Sequence, residues 1–307
     1  MRPVNSWWVR MAENKWLLVM LFALLYRQKA LFSSNQNTYF LHGLAQADVG
    51  FLARDWLAMT TDPVPVFSSL VMLVMHWGNA KLFYIEYFLL LGLFAACMLG
   101  IAVFVAGGLD KKRKYLPVLF LLILLVDPMS LMTKGMAKQY ILGDVLQPSV
   151  FGVFLLASIW AFLREKTYLA VLALAIAANV HPTYMLSAGV LATTYLSILV
   201  LRKREFKRAF VMALVTALLL TPTLYYVGLN FSPVDAALHT QAQHLLVDFR
   251  IPHHAKPAEW VGGRTIIQLM VICAAIYLAR SSYLMPIVAV PFVVALTMTI
   301  AQWMSGS

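Results

Sequence analysis

The apolar run FYIEYFLLLGLFAACMLGIAVFVAGG, residues 83–108, constrains this chain more than any other feature. As a helix, at about 1.5 Å of rise per residue, it is long enough to cross roughly 30 Å of hydrocarbon. Residues 207–228 form a second such run. In lipid every backbone polar group must be paired inside the protein, which leaves helices or closed barrels. The alternating pattern of a barrel strand is absent, so these runs are helices. Charged residues make up 12% of the 307, against roughly a quarter in soluble domains. The sequence therefore predicts an all-α, polytopic membrane helical bundle, read as a single transmembrane domain over residues 1–307.

Hydropathy predicts about nine spans, at 14–32, 83–108, 115–133, 149–163, 167–181, 184–201, 208–228, 264–280 and 282–303. The first is read as a retained helix rather than a signal peptide. The text YRQKALF follows it, not a small-residue cleavage site, and Arg27 and Lys29 are expected to snorkel outward. The net charge of +11 is read through topology rather than as a nucleic-acid footprint. With the N-terminus in the cytoplasm, the clusters DKKRK (110–114), REK (164–166) and RKREFKR (202–208) all fall inside, as does Arg280. That agreement with the positive-inside rule fixes the orientation. The loop 33–82, the segment 134–148, the turn at His181-Pro182 and the loop 229–263 then emerge on the outer face. Four polar stretches on one side are expected to line a common cleft. Cys97 and Cys273 lie in apolar runs and imply no disulfide framework.

In the first outer loop, Phe40, Leu41, Leu44, Phe51 and Leu52 recur at three- and four-residue steps between Thr38 and Trp56. This spacing predicts amphipathic helices lying in the interface, followed by another over Val64–Trp77 after the Asp62-Pro63 break. The order of residues here resembles the GT-C superfamily of polytopic glycosyltransferases. Many bacterial members carry Asp-Glu-x-x-Tyr after the first helix, then Gly-Asp-Trp, then Pro-Pro-Leu before an amphipathic helix. Asn35, Gln36 and Tyr39 stand at the first motif, Arg54, Asp55 and Trp56 at the second, and Pro63 and Pro65 at the third. The resemblance covers roughly residues 15–110.

The resemblance implies sugar transfer from a polyprenyl-phosphate donor on the outer face of a bacterial plasma membrane, with membrane lipid as the other partner. It leaves open a divalent cation, magnesium or manganese, as cofactor, and it says nothing of oligomeric state. The family's leading aspartate falls on Asn35, whose amide cannot accept a proton at neutral pH. The base is then expected among Asp55, Asp62 and Asp144. The competing reading of Asp55 and Asp62 is helix capping.

Outer lysines run against the usual charge bias, so Lys134 and Lys138 read as a cationic surround for phosphate or as interfacial anchors. His181 precedes a proline that ends the fifth span, at the outer boundary. It reads either as a site residue or as a helix C-cap. In FRIPHHAKPAEW (249–260), Arg250 offers a planar fork suited to phosphate. On a helix, His253 and His254 would point about 100° apart. Pro252 and Pro257 instead suggest an irregular loop, in which the pair contacts phosphate or sugar or, as the less favoured reading, a metal. Trp260 reads as a stacking platform or an interfacial anchor. Asp55, Asp144 and His181 are thus the catalytic candidates. Asn35, Tyr39, Asp62, Lys138, Arg250, His253, His254 and Trp260 are the binding candidates. The alternative is a non-catalytic lipid-carrier binding or transport protein on the same scaffold. Transport is disfavoured by a nearly bare midplane and by the absence of repeated halves. No Gly-x-Ser-x-Gly supports a hydrolase, and no His-Glu-x-x-His supports a zinc protease.

Overall fold

A computed structural model describes residues 14–107, 115–126, 134–135, 137, 139–232 and 235–305. Among these residues the chain is helical throughout, with an isolated bridge between Lys134 and Tyr140 in place of any strand. The helices α5 (Leu82–Val105), α10 (Phe206–Asn230) and α14 (Pro286–Ser305), together with the stretch Pro182–Arg202, are four segments long and apolar enough to cross a membrane. Shorter apolar helices are α1 (Lys15–Leu25), α4 (Pro65–His76), α6 (Leu116–Val126), α7 (Val153–Leu163, entered by a 3-10 turn at Pro148–Gly152), α8 (Thr167–Val180) and α13 (Gly263–Ala279).

Two compact units divide the chain. The first comprises residues 1–127 and 141–182, the second 128–140 and 183–307. In the first unit, α5 packs against α1, α6 and α7, and α7 packs against α8. Phe22 and Ala23 of α1 and Phe83, Tyr87, Leu91, Phe94 and Ala95 of α5 are nearly or fully buried in one core. Each such apolar side chain contributes roughly 1.5–3 kcal/mol wherever water is its alternative. Leu24, Leu25, Ile85 and Leu89 on the same helices are exposed. A greasy outer surface around a packed core suits lipid as solvent and would aggregate in water.

Over the stretch from Thr38 to Trp56, where one or two amphipathic helices are expected, the chain forms the short helices α2 (Gln36–Tyr39) and α3 (Leu41–Gln46) and a 3-10 turn at Leu52–Arg54. Asp48 and Gly50, both at positive φ, interrupt the stretch. The α4 helix begins with Pro65 at its first position, where a missing N–H costs nothing. It buries Phe67, Ser68 and Val71. Gly43 of α3 lies where a Cβ would stand 2.6 Å from Val71 Cβ and overlap the Ser68 carbonyl oxygen. Only a glycine lets α3 approach α4 this closely, a familiar device of membrane helix packing.

In the second unit, Met185–Ser197 forms α9, continued by a π turn through Arg202, and α9 packs against α14. The polar stretch after α10 holds α11 (Ala236–His244), a π turn at Leu245–Arg250 and α12 (Pro252–Ala255). Here the expected irregular loop is corrected. Pro252 sits at a helix start, where proline is tolerated, so His253 and His254 occupy a single helical turn.

Candidate functional site

The first helix ends at Leu25, because Tyr26 turns to an extended conformation (φ −68°, ψ 131°). The residues after it do not continue as a span. They form a strap whose polar groups are answered by the segment 141–148. Lys29 N donates to the Asp144 carbonyl at 2.7 Å, and Lys29 Nζ pairs with Asp144 Oδ2 at 2.8 Å. Lys29, expected to snorkel outward, is half-exposed and meets a partner carboxylate there.

Gln36 holds the strap from below. It is only 1% exposed; its Oε1 accepts from Phe32 N at 2.8 Å and its Nε2 donates to the Leu146 carbonyl at 3.0 Å. The same amide secures Phe32, which sits at φ +58° in the left-handed region, a conformation that costs of order 1–3 kcal/mol. A glutamate at this position could accept from Phe32 but could not donate to Leu146. Gln36 is therefore a structural tie in this chain, not a site acid.

Two tyrosines from the first turns of α5 complete the wall. Tyr84 Oη accepts from Leu31 N at 3.1 Å, and Tyr87 Oη donates to the Gly143 carbonyl. Gln28, Lys29, Gln36, Tyr84, Tyr87 and Asp144 line a closed crevice, packed too tightly to admit a water molecule. Gln28 Oε1 is buried there without a hydrogen-bond donor among the described residues. Nearby in the unit, the rings of Tyr39 and His181 meet edge-on with centroids 6.3 Å apart. His181 caps α8 in an extended conformation (φ −133°, ψ 97°), as the following proline requires. The first outer loop, the segment around Asp144 and the His181 turn therefore meet within one unit.

Other candidates sit apart from this crevice. Asp55 Oδ1 accepts from Leu57 N and Asp62 Oδ1 accepts from Val64 N, each at 2.8 Å. Both are carboxylates closing local turns two residues ahead, an ordinary structural use of aspartate, and neither lines the crevice at Asp144. Asn35 is exposed at the start of α2 and makes no side-chain cap bond there. Lys138 lies outside the described residues.

The remaining candidates belong to the second unit. His254 Nδ1 lies 2.6 Å from the Ala137 carbonyl, and the His253 and His254 rings are 4.1 Å apart. Trp260 lines a small pocket with Arg264 and Glu259, and its carbonyl accepts from the Thr265 hydroxyl. Arg250 ends the π turn and is exposed. Beside them is a cluster that the sequence reading passed over. Asp248 bridges His244 Nδ1 at 2.8 Å and Lys256 Nζ at 2.6 Å. The Lys256 hydrogen bond holds the Asp248 carboxyl below its ordinary range. The i, i+4 spacing of His244 and Asp248 on continuous helix was the available signal. Among the described residues, no group of three His, Cys, Asp or Glu side chains is placed to hold a metal ion.

Lys29, Gln28, Tyr84 and Tyr87 were likewise passed over as site residues. Lys29 carried the same signal as Lys134 and Lys138, a lysine on the face where the charge bias disfavours one. Glu86, an acid inside the apolar run of α5, is another: its Oε2 is buried without a hydrogen-bond partner among the described residues, and an acid at such a position is costly and usually functional. No family model matches the chain, and no curated protein or solved structure matches it either.

Proposed function

We propose that this chain is a GT-C-like membrane glycosyltransferase, with about nine spans, that moves a sugar from a polyprenyl-phosphate donor to an acceptor on the outer face of a bacterial plasma membrane. One observation carries the reading. A lysine and an aspartate from distant parts of the sequence pair 2.8 Å apart in a crevice that also holds tyrosine hydroxyls and a donorless buried amide oxygen. Parting of the Lys29–Asp144 pair would open this closed crevice to a sugar hydroxyl, a donor of the kind that Gln28 Oε1 lacks.

The chemistry needs a base for the acceptor hydroxyl and a cation for the departing phosphate. In this reading Asp144 takes the acceptor proton as the acceptor oxygen bonds to the anomeric carbon. The bond from that carbon to the phosphate oxygen breaks, and the phosphate leaves with the electron pair. Lys29 is shared between Asp144 and the donor phosphate, so donor binding draws its ammonium away and frees Oδ2 for the acceptor. Among the original acidic candidates, Asp144 is the base. The turn bonds of Asp55 and Asp62 support a role in shaping the loop.

The amides at Asn35 and Gln36 favour one rival, a protein that binds the lipid carrier without transfer. The full chain, reconstituted with a panel of undecaprenyl-phosphate hexoses and pentoses, separates the two. The transferase reading expects release of free undecaprenyl phosphate in step with a glycosylated product. Saturable donor binding with no release over hours would establish the rival in its place.

A further inference from the structure

At the opposite end of the first unit, away from the crevice, lies a groove of about 550 Å³ between α1, α5, α6 and α7. That volume is within the range of sites that hold small organic ligands, roughly 300–1,000 Å³. Its floor is apolar, formed by Val19, Ala96, Leu99 and Val103. The polar groups are concentrated where helices begin and end: Lys15 opens α1 and Arg164 caps α7. Both are exposed. Two indoles, Trp16 and Trp160, share the lining, and Lys15 Nζ stands 5.6 Å above the Trp16 ring. Gly100 shapes one wall, since a Cβ there would fall inside the Trp160 indole. The glycine lets that ring pack directly against α5.

An apolar slot with cations and indoles at one end has the amphipathic profile of a lipid. Indoles favour the headgroup level of a bilayer, and basic pockets between helices on the cytoplasmic side suit anionic headgroups. We propose that the groove is a binding site for an anionic glycerophospholipid. Lys15 and Arg164 hold the headgroup phosphate, and one acyl chain lies along Val19, Leu99 and Val103. Two separated cations match a single phosphate diester with its charged or hydroxylated headgroup, and they discriminate against a zwitterion, whose own ammonium they would repel. The inference rests on the membrane orientation given above and not on the transfer chemistry.

The test uses the full chain reconstituted in mixed phosphatidylglycerol and phosphatidylcholine vesicles, re-extracted in mild detergent, with the co-purifying lipids counted by mass spectrometry. Wild type is expected to retain phosphatidylglycerol in excess of its share of the vesicle. The double change Lys15→Gln, Arg164→Gln is expected to lower that preference by about 30-fold, while Lys15→Arg with Arg164→Lys keeps it. Val103→Trp, which fills the slot, is expected to remove phosphatidylglycerol retention with both cations in place. Elution and thermal unfolding identical to wild type confirm that each variant is folded. Equal retention of the two lipids would overturn the proposal. So would unchanged retention in Val103→Trp, which would reduce the effect to surface charge. Displacement of phosphatidylglycerol by stoichiometric undecaprenyl phosphate would overturn it too, by making the carrier lipid the occupant. No arm reads sugar transfer, so the two proposals fail separately.

Discussion

Asp144→Asn is expected to slow sugar transfer by about 10²–10⁴-fold, the usual contribution of a positioned general base. The substitution keeps the side chain's size and one acceptor oxygen, so Lys29 retains a partner of similar geometry. Lost stability should be small, because the Lys29–Asp144 pair is nearly half exposed on both sides and such pairs contribute about 0–1 kcal/mol. Donor binding should survive, since the freed lysine keeps its charge. A loss of turnover with intact unfolding temperature and intact donor affinity is therefore the expected signature. Asp55→Asn and Asp62→Asn provide the contrast. Each alters a local turn bond, and each is expected to leave turnover within a few fold. If Asp55→Asn abolishes transfer while Asp144→Asn does not, the base has been misassigned.

The largest expected effect on stability is at Gly43. A methyl group there meets the Ser68 carbonyl and the Val71 Cβ, and Ser68 and Val71 are fully buried. Neither obstacle is the far end of a flexible side chain, so α3 must move away from α4 and open the packing around Phe40 and Phe67. Overpacking of this kind costs typically 1–3 kcal/mol, more than the gain of roughly 1 kcal/mol from replacing a helical glycine by alanine. Gly43→Ala should lower the thermal midpoint by several degrees, and Gly43→Val by more. Gly189→Ala is the internal control. Its Cβ would meet nothing within 4 Å on α9, so it should be neutral or slightly stabilising. A Gly43→Ala protein as stable as wild type would mean that the two helices are not in the contact described.

The apolar runs announced their own helices because local periodicity and length suffice for that. The helix α5 begins one residue before the run 83–108 and ends within it, and His181-Pro182 ends α8 where the proline rule placed the break. What the sequence concealed depends on partners far apart along the chain. Nothing local to YRQKA says that Lys29 will meet Asp144, or that the strap will leave the helix at Tyr26 to do so. The motif around Gln36 was legible as a pattern but not in its role. Gln36 joins two backbone groups, one from each side, which call for a donor and an acceptor at once. Helical phase could have exposed the His244–Asp248 pair, but the prolines nearby drew the reading toward an irregular loop. The Gly43 contact required knowing which helix faces which.

Sidedness decides the account most directly, since outer-face chemistry requires the crevice and the basic groove to lie on opposite sides of the membrane. In a Cys97→Ala, Cys273→Ala background, single cysteines at Asp144 and Arg164 would be treated in intact cells with a membrane-impermeant thiol reagent. Asp144→Cys should react from outside, and Arg164→Cys only after the cells are opened. Labelling of Arg164→Cys but not Asp144→Cys in intact cells would invert the topology and contradict the proposed site.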